Sequence, residues 1–177
     1  MTEPRPQPRA ARTAFQGVAF RVDVEDWPQT GPWDVAHHQG AAAVLPLTPD
    51  DQVVLVRQFR PPVRQVLTEI PAGLLDVEGE DALTCAGREL FEETGYRHTA
   101  IEFLGGYYAS AGFTDEYVHI FWARVPERPE GPPEEGIEVV VKPFAQMLAA
   151  ARGGKVRDAK TAFALLLAGT AAALPRG

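Results

Sequence analysis

A single helical pattern lies between two blocks of strand-like sequence, and this order restricts the possible folds more than any other feature. In residues 80–94, small and apolar side chains recur with the period of an α-helix. They are Leu83, Ala86, Gly87 and Leu90, and Gly95 follows as a C-cap. One helix inserted into a series of strands, with further helices after them, predicts an α+β fold or an α/β/α sandwich, with a mixed β-sheet.

The strands are predicted from alternating or apolar patterns that are bounded by turn-forming residues. Before the helix they cover residues 15–27, 33–38, 41–47, 52–59 and 66–70, and after it residues 101–109, 117–124 and 137–141. Two more helices are predicted near the C-terminus. Pro143 starts the first, which ends at Arg152, and Asp158 caps the second, which runs to about Ala173.

The organisation along the chain predicts one main domain with an N-terminal arm. The 177 residues are 45% apolar and 23% charged, so a sizeable core can form. Residues 1–13 contain three prolines and are expected to be a flexible tail. Residues 14–40 are expected to form a β-ribbon, and residues 41–177 the main domain.

Composition argues against several classes of protein. The longest fully apolar run, residues 162–168, is far shorter than the roughly 20 residues that cross a bilayer, so no membrane association is expected. A net charge of −7 argues mildly against nucleic acid as the main partner. The single cysteine, Cys85, cannot form an internal disulfide and is expected to be a small buried or half-buried residue in the middle of the central helix. A reducing, cytoplasmic location is therefore expected.

Three glutamates crowd one face of the central helix. Glu89, Glu92 and Glu93 stand at i, i+3 and i+4, and each like-charged pair at this spacing costs about 0.2 to 0.5 kcal/mol. Arg88 offsets only part of this repulsion. A solvated acidic face is one interpretation of this pattern. The other is a site for Mg²⁺ or Mn²⁺, because these hard cations prefer carboxylate and carbonyl oxygens.

The string GLLDVEGEDALTCAGRELFEETGY, residues 73–96, favours the metal site because it resembles the Nudix box. That box reads Gly, five residues, Glu, seven residues, Arg-Glu-aliphatic, one residue, Glu-Glu, one residue, Gly-aliphatic. The second half matches from Glu80 to Gly95. Two positions depart: six residues separate Gly73 from Glu80, and Tyr96 replaces the final aliphatic residue. The resemblance implies a Nudix-type α/β/α sandwich.

The flanking segments resemble the ADP-ribose pyrophosphatases of that family. They are RQFRPPV at 57–63, EIPAGLLD at 69–76 and SAGFTDEYVHIF at 110–121. This implies metal-dependent hydrolysis of a diphosphate linkage, which gives AMP and ribose 5-phosphate from ADP-ribose. Ala111 stands where proline is usual in these enzymes, so GDP-mannose, other sugar nucleotides, FAD and NADH stay open as substrates. A nucleotide-binding regulator without turnover is a further alternative.

The resemblance also implies the roles of individual residues around the metal. The metal-binding groups are the carbonyl of Ala72 and the carboxylates of Glu89, Glu92, Glu93 and Glu135. Of these, Glu92 and Glu93 are also counted among the catalytic residues, with Glu92 near a further ion or its water. Arg88 is expected to orient a neighbouring glutamate.

The catalytic base and the substrate contacts follow from the same resemblance. The family places an acidic residue where this chain has Pro133, so the base is open between Glu134, Glu135 and Glu116. The expected substrate-binding residues are Arg60, for the diphosphate, together with Phe113 and Trp33.

The N-terminal strands carry two further expectations. In the resembling family they often cross to a second subunit, so a homodimer is expected. His37 and His38 are adjacent and would point to opposite faces of a strand, so they are not expected to bind one ion together.

Overall fold

The structure is a computed structural model that describes residues 6–170, and this part of the chain contains ten strands and three helices. The strands are β1 (Ala10–Gln16), β2 (Phe20–Trp27), β3 (Gly31–His38), β4 (Ala41–Leu47), β5 (Gln52–Arg60), β6 (Gln65–Glu69), β7 (Ala72–Leu74), β8 (Ala100–Tyr108), β9 (Tyr117–Arg124) and β10 (Glu138–Pro143). The helices are α1 (Ala82–Thr94), α2 (Phe144–Arg152) and α3 (Ala159–Thr170). The chain divides into two compact units. The first ends at Gly40 and also includes Tyr107–Tyr117; the second holds the rest.

The first unit contains an antiparallel sheet in the order β1-β2-β3. Strand β1 overlaps the expected flexible tail, because Ala10 pairs with Asp26 and the amide of Arg9 donates to the Asp26 carbonyl at 2.7 Å. Residues 10–13 therefore belong to a strand, and a tail over all of 1–13 was wrong for them. Their sequence lacks an alternating apolar pattern, so backbone pairing with β2 defines this part of the strand. Residues 1–5 lie outside the described residues.

The segment 107–117 joins the first unit through contacts with β3. The amide of Ala36 donates to the Phe113 carbonyl at 2.7 Å, and the Thr114 hydroxyl donates to the Ala36 carbonyl at 2.8 Å. The two ring nitrogens of His37 lie 2.6 Å from an Asp115 oxygen and 3.2 Å from a Glu25 oxygen. These long-range contacts have no signature in a linear pattern, and the sequence placed this segment in the main domain.

The second unit is built on a mixed sheet in the order β10-β5-β4-β9-β8, with β6 paired to β5 and β7 to β4. Strands β4 and β9 are parallel, whereas β5 is antiparallel to β4, β6 and β10. The mixed sheet expected from the order of elements is confirmed. The three-residue strand β7 was not predicted as a strand, because its sequence, Ala-Gly-Leu, is too short to show a period.

Helices cover the sheet of the second unit. Successive residues of a strand point to opposite faces, and Ala42 and Val44 of β4 pack in one buried cluster with Cys85 and Leu90 of α1. Helix α3 also contacts β4 and packs against α2. The α/β/α sandwich is therefore confirmed. Cys85 is fully buried, as expected, and burial raises the pKa of its thiol to about 12.

Local capping explains where the helices begin. Helix α1 starts two residues later than the predicted 80–94, because the Asp81 carboxylate accepts a hydrogen bond from the Thr84 amide at 2.8 Å. The Asp158 carboxylate likewise accepts from the Thr161 amide at 2.9 Å, next to the first turn of α3. The predicted end of this helix at Ala173 lies outside the described residues. None of the helices in 6–170 is long and apolar enough to cross a membrane.

We expect His37 to stabilise the fold more at low pH than at high pH. Its hydrogen bond with Asp115 is the main cause of a pKa above the ordinary value of 6.5. The stabilisation is therefore complete below the pKa of the unfolded chain and is lost as the pH rises through the higher folded pKa. His37→Gln should cost about 1 kcal/mol at pH 5.5 and clearly less at pH 9, measured by urea unfolding. His98→Gln is the matched control, and an equal cost for His37→Gln at both values would contradict the expectation.

Candidate active site

The glutamates of α1 differ in exposure although they share one helix. Glu93 is buried at 6% exposed, Glu89 is partly buried and Glu92 is exposed. Strand β7 packs against this helix, and Gly73 lies directly beside the Glu89 carboxylate. A β-carbon at position 73 would overlap the Glu89 side chain, so only glycine allows the strand and the carboxylate to approach this closely.

Arg88 connects the acidic side chains around α1. Its guanidinium donates to both Glu80 oxygens at 2.9 Å, to Glu89 at 2.6 Å and to Glu92 at 2.9 Å. The extra residue between Gly73 and Glu80 therefore leaves Glu80 in contact with Arg88. The hydrogen bond with Arg88 is the main cause that lowers the pKa of Glu80, and the same bond raises the pKa of Arg88.

Glu93 is held between strands β5 and β7. The Ala72 amide donates to one of its oxygens at 3.1 Å, and the Gln58 side chain donates to the other at 3.4 Å. Burial raises the pKa of Glu93 to about 7, although the hydrogen bond from Ala72 opposes the shift. Burial also raises the pKa of Glu89. The structure therefore brings together Ala72, Glu89 and Glu93, three of the residues expected at a metal site.

This group has the chemistry that a hard divalent cation requires. The Ala72 carbonyl and the carboxylates of Glu89 and Glu93 offer only oxygen atoms, which suit Mg²⁺ and Mn²⁺. Burial favours the protonated form of Glu93, and a nearby cation would favour the ionised form instead. The residues present therefore fit a metal ion.

The loop that carries the expected base is attached to the end of α1. The Glu134 amide donates to the Glu92 carbonyl at 2.9 Å, and the Glu130 amide donates to the Gly95 carbonyl at 2.8 Å. Gly95 has φ of +74° and a β-carbon there would overlap the Gly131 carbonyl, so glycine is needed on both grounds. The side chains of Glu134 and Glu135 are exposed. The backbone thus places this acidic loop beside the glutamate helix.

Arg60, expected to bind the diphosphate, is engaged by a buried carboxylate. Two of its guanidinium nitrogens donate to Glu69 at 2.9 and 2.7 Å, and Lys160 of α3 also contacts Glu69, which is 1% exposed. Burial alone would raise the pKa of Glu69, but Arg60 and Lys160 together hold it below its ordinary value. The sequence did not identify Glu69 or Lys160, because they are 91 residues apart. The EIPAG match that contains Glu69 was the only linear signal.

The remaining expected residues lie in the first unit. Trp33 is 44% exposed and lines a cavity of about 200 Å³ with Trp27, while Phe113 is 58% exposed. A Glu116 oxygen lies 3.9 Å from His38 Nδ1.

The first unit also contains a group that the sequence missed. Asp23, Glu25 and His37 each place one potential ligand atom within 4.8 Å of the others. Asp23 and Glu25 alternate on β2, and His37 lies on the neighbouring β3 opposite Arg21, so strand register brings the three together. The prediction for His37 and His38 concerned only one ion bound by both histidines, and it did not include the carboxylates of β2.

Comparison with known proteins identifies a matching family and several relatives of similar length. The NUDIX domain family matches residues 37–164. The chain is 38% identical over 164 residues to an ADP-ribose pyrophosphatase of Bacillus subtilis (strain 168), with 88% of each chain covered. It is 32% identical over 159 residues to a methanol dehydrogenase activator of Bacillus methanolicus, with 85% of each covered. It is 37% identical over 137 residues to a GDP-mannose pyrophosphatase of Cronobacter sakazakii (strain ATCC BAA-894), with 71% of each covered.

The fold is shared with a solved structure. A crystal structure of an ADP compounds hydrolase has a TM-score of 0.74 with this chain, at 22% sequence identity. The similarity covers 95% of this chain and 94% of that one.

We expect Gly73→Ala to weaken Mn²⁺ binding at least tenfold, because the new methyl group must displace the Glu89 carboxylate. Electron paramagnetic resonance of free Mn²⁺ measures this affinity, and circular dichroism checks that the helices persist. Glu93→Gln is the positive control. Gly112→Ala is the matched control, since no atom lies within 4 Å of a β-carbon there. Unchanged Mn²⁺ affinity in folded Gly73→Ala would show that the contact between β7 and Glu89 does not form a metal site.

Proposed function

The chain belongs to the Nudix family of hydrolases, and from this premise we propose that it hydrolyses the diphosphate linkage of ADP-ribose or a similar nucleoside diphosphate derivative. With ADP-ribose the products are AMP and ribose 5-phosphate. The cofactor is Mg²⁺ or Mn²⁺. The identity of 38% with an ADP-ribose pyrophosphatase, over most of both chains, supports this substrate class.

One structural observation carries the proposal. Strand β7 contacts α1 through two adjacent residues, since the Ala72 amide donates to Glu93 and Gly73 lies against Glu89. This contact collects oxygen atoms on one side of the helix, including two carboxylates whose pKa values are raised by burial. A site with these properties favours the binding of a cation and then of an anionic diphosphate.

Each proposed role follows from the contacts of the side chain. Ala72, Glu89 and Glu93, with Glu92 and Glu135 as further ligands, would hold a divalent cation, which would supply positive charge for the diphosphate and lower the pKa of a bound water. Arg88 orients Glu89 through a 2.6 Å hydrogen bond. Arg60 is proposed to contact a phosphate group while two of its nitrogens stay bonded to Glu69.

The catalytic base is proposed to come from the loop after β9. Its backbone is bonded to Glu92 of α1 and to the C-cap Gly95, which supports Glu134 and Glu135 as the base. A carboxylate there accepts the proton of the attacking water. The water then attacks phosphorus, and one phosphate-bearing product leaves.

GDP-mannose is the second candidate substrate, and two observations favour it. GDP-mannose pyrophosphatases of several bacteria are 35 to 37% identical to this chain. Ala111 departs from the proline usual in ADP-ribose enzymes, which agrees with this alternative. A regulator without turnover is the less favoured candidate, since Arg88 and all three helix glutamates are present.

The assembly and location are proposed from weaker observations. Phe15, Phe20 and Trp33 of the first unit are each at least 44% exposed, and exposed apolar side chains of this size fit an interface between two copies of the chain. We therefore propose a homodimer. A cytoplasmic location agrees with a lone, buried cysteine. Trp33 and Phe113 are proposed as nucleotide contacts on the family resemblance.

We expect Mg²⁺-dependent release of a mononucleotide from at least one of ADP-ribose, GDP-mannose, FAD and NADH. Chromatography of the products measures the reaction, and excess EDTA should abolish it because the proposed metal is removed. Tight binding of every substrate without turnover would favour the regulator instead. Turnover that persists in EDTA would contradict the metal dependence.

We expect Glu134→Gln or Glu135→Gln to lower kcat by a factor of about 100 or more, because a general base contributes 10² to 10⁴ to a rate. Glu116→Gln should have a much smaller effect, and Glu127→Gln is the matched control in the same loop. The rise of kcat with pH, which reports the base, should be lost only in the variant that removes it. A large effect confined to Glu116→Gln would overturn the assignment to the loop.

A further inference from the structure

A cavity in the second unit is lined by β5, β6, β10, α2 and the segment before α3. Its volume is about 650 Å³, within the range of 300 to 1,000 Å³ typical of small-molecule sites. Four basic side chains line it, Arg57, Lys142, Lys155 and Arg157, and the only carboxylate among the lining residues is Glu138. The whole chain has a charge of −7, so this concentration of positive charge is local.

The cavity is separate from the candidate active site. Gln58 of β5 donates to Glu93 and so points to the α1 side of the sheet. Arg57, the preceding residue, points to the opposite face, because side chains alternate along a strand. None of the residues proposed to bind the metal or the diphosphate lines this cavity. A ligand here would therefore not compete directly for the glutamates of α1.

The charges of the lining residues are only partly compensated. Arg57 forms an ion pair with Glu138 at 2.8 Å, and both side chains are exposed. Among the described residues that line the cavity, Glu138 is thus the one carboxylate beside four cations. Lys155 and Arg157 lie on the short segment between α2 and α3, where both are exposed. A cleft lined by one sign of charge attracts ligands of the opposite sign.

The other lining residues limit the chemistry of the ligand. Val66, Met147 and Val156 line the cavity beside the basic side chains and form an apolar wall. Inorganic phosphate would leave this wall uncovered, whereas a nucleoside monophosphate has an apolar ring system as well as a charged group. The volume also suits a molecule of nucleotide size.

We propose that this cavity binds a small phosphorylated organic anion of nucleotide size, with its phosphate on Lys155 and Arg157 and its ring system against Val66 and Met147. Arg57 and Lys142 complete the positive surface. The site is distinct from that of hydrolysis and does not depend on the function proposed above.

Isothermal titration calorimetry with AMP, in EDTA to suppress metal-dependent binding at α1, tests the proposal. The double variant Lys155→Gln/Arg157→Gln should bind AMP at least tenfold more weakly than the unchanged chain. The double variant Arg128→Gln/Arg152→Gln is the matched control, since it removes the same charge from exposed residues outside the cavity, and its affinity should change less than twofold. Adenosine and inorganic phosphate should each bind more weakly than AMP.

The location of the bound AMP is checked independently by amide chemical shifts in NMR spectra. AMP should shift Leu67 and Val156, and Glu93→Gln should retain this response. These spectra also show whether the double variants are folded. The proposal is overturned if AMP does not bind to the unchanged chain, if both double variants weaken binding equally, if adenosine binds as tightly as AMP, or if Glu93→Gln abolishes the shifts.

Discussion

The candidate site depends on how the carboxylates on one face of α1 are balanced by positive charge. Glu89 and Glu92 both receive hydrogen bonds from Arg88, which also holds Glu80 with two bonds. One cation therefore serves three carboxylates in the free protein. Helix α1 can keep its acidic residues because each of these charges has a hydrogen-bonding partner, and because Glu93 is held separately by Ala72.

Burial and the nearby basic side chains act in opposite directions on the pKa of Glu93. Desolvation is the largest influence on its pKa, and repulsion from Glu89 adds to it, while Arg60 and Lys160 favour the ionised form. Arg60 and Lys160 are themselves positioned by Glu69, which is buried and bonded to both. Residues from β5, β6 and α3 thus influence the pKa of Glu93, which lies on α1. This arrangement connects the packing of the sandwich to the chemistry of the site.

The sequence predicted the α/β/α architecture because the periods of strands and helices differ and the segments alternate clearly. The helix at 82–94 was the strongest case, since its apolar stripe and the C-cap Gly95 agree. Strand β7 and residues 10–13 of β1 were missed, because neither carries a periodic pattern. Both strands exist through backbone pairing with a neighbour, β4 in one case and β2 in the other.

The sequence by itself determined that Glu89, Glu92 and Glu93 share one face of a helix, since their spacing follows from the helical repeat. Through the family resemblance it also identified Gly73 as the first residue of the Nudix box. Only the tertiary structure decided that Gly73 touches Glu89, that Glu69 binds both Arg60 and Lys160, and that four basic residues line one cavity. Those groups come from segments far apart in the chain, and their proximity depends on sheet register and helix packing, which no local pattern encodes.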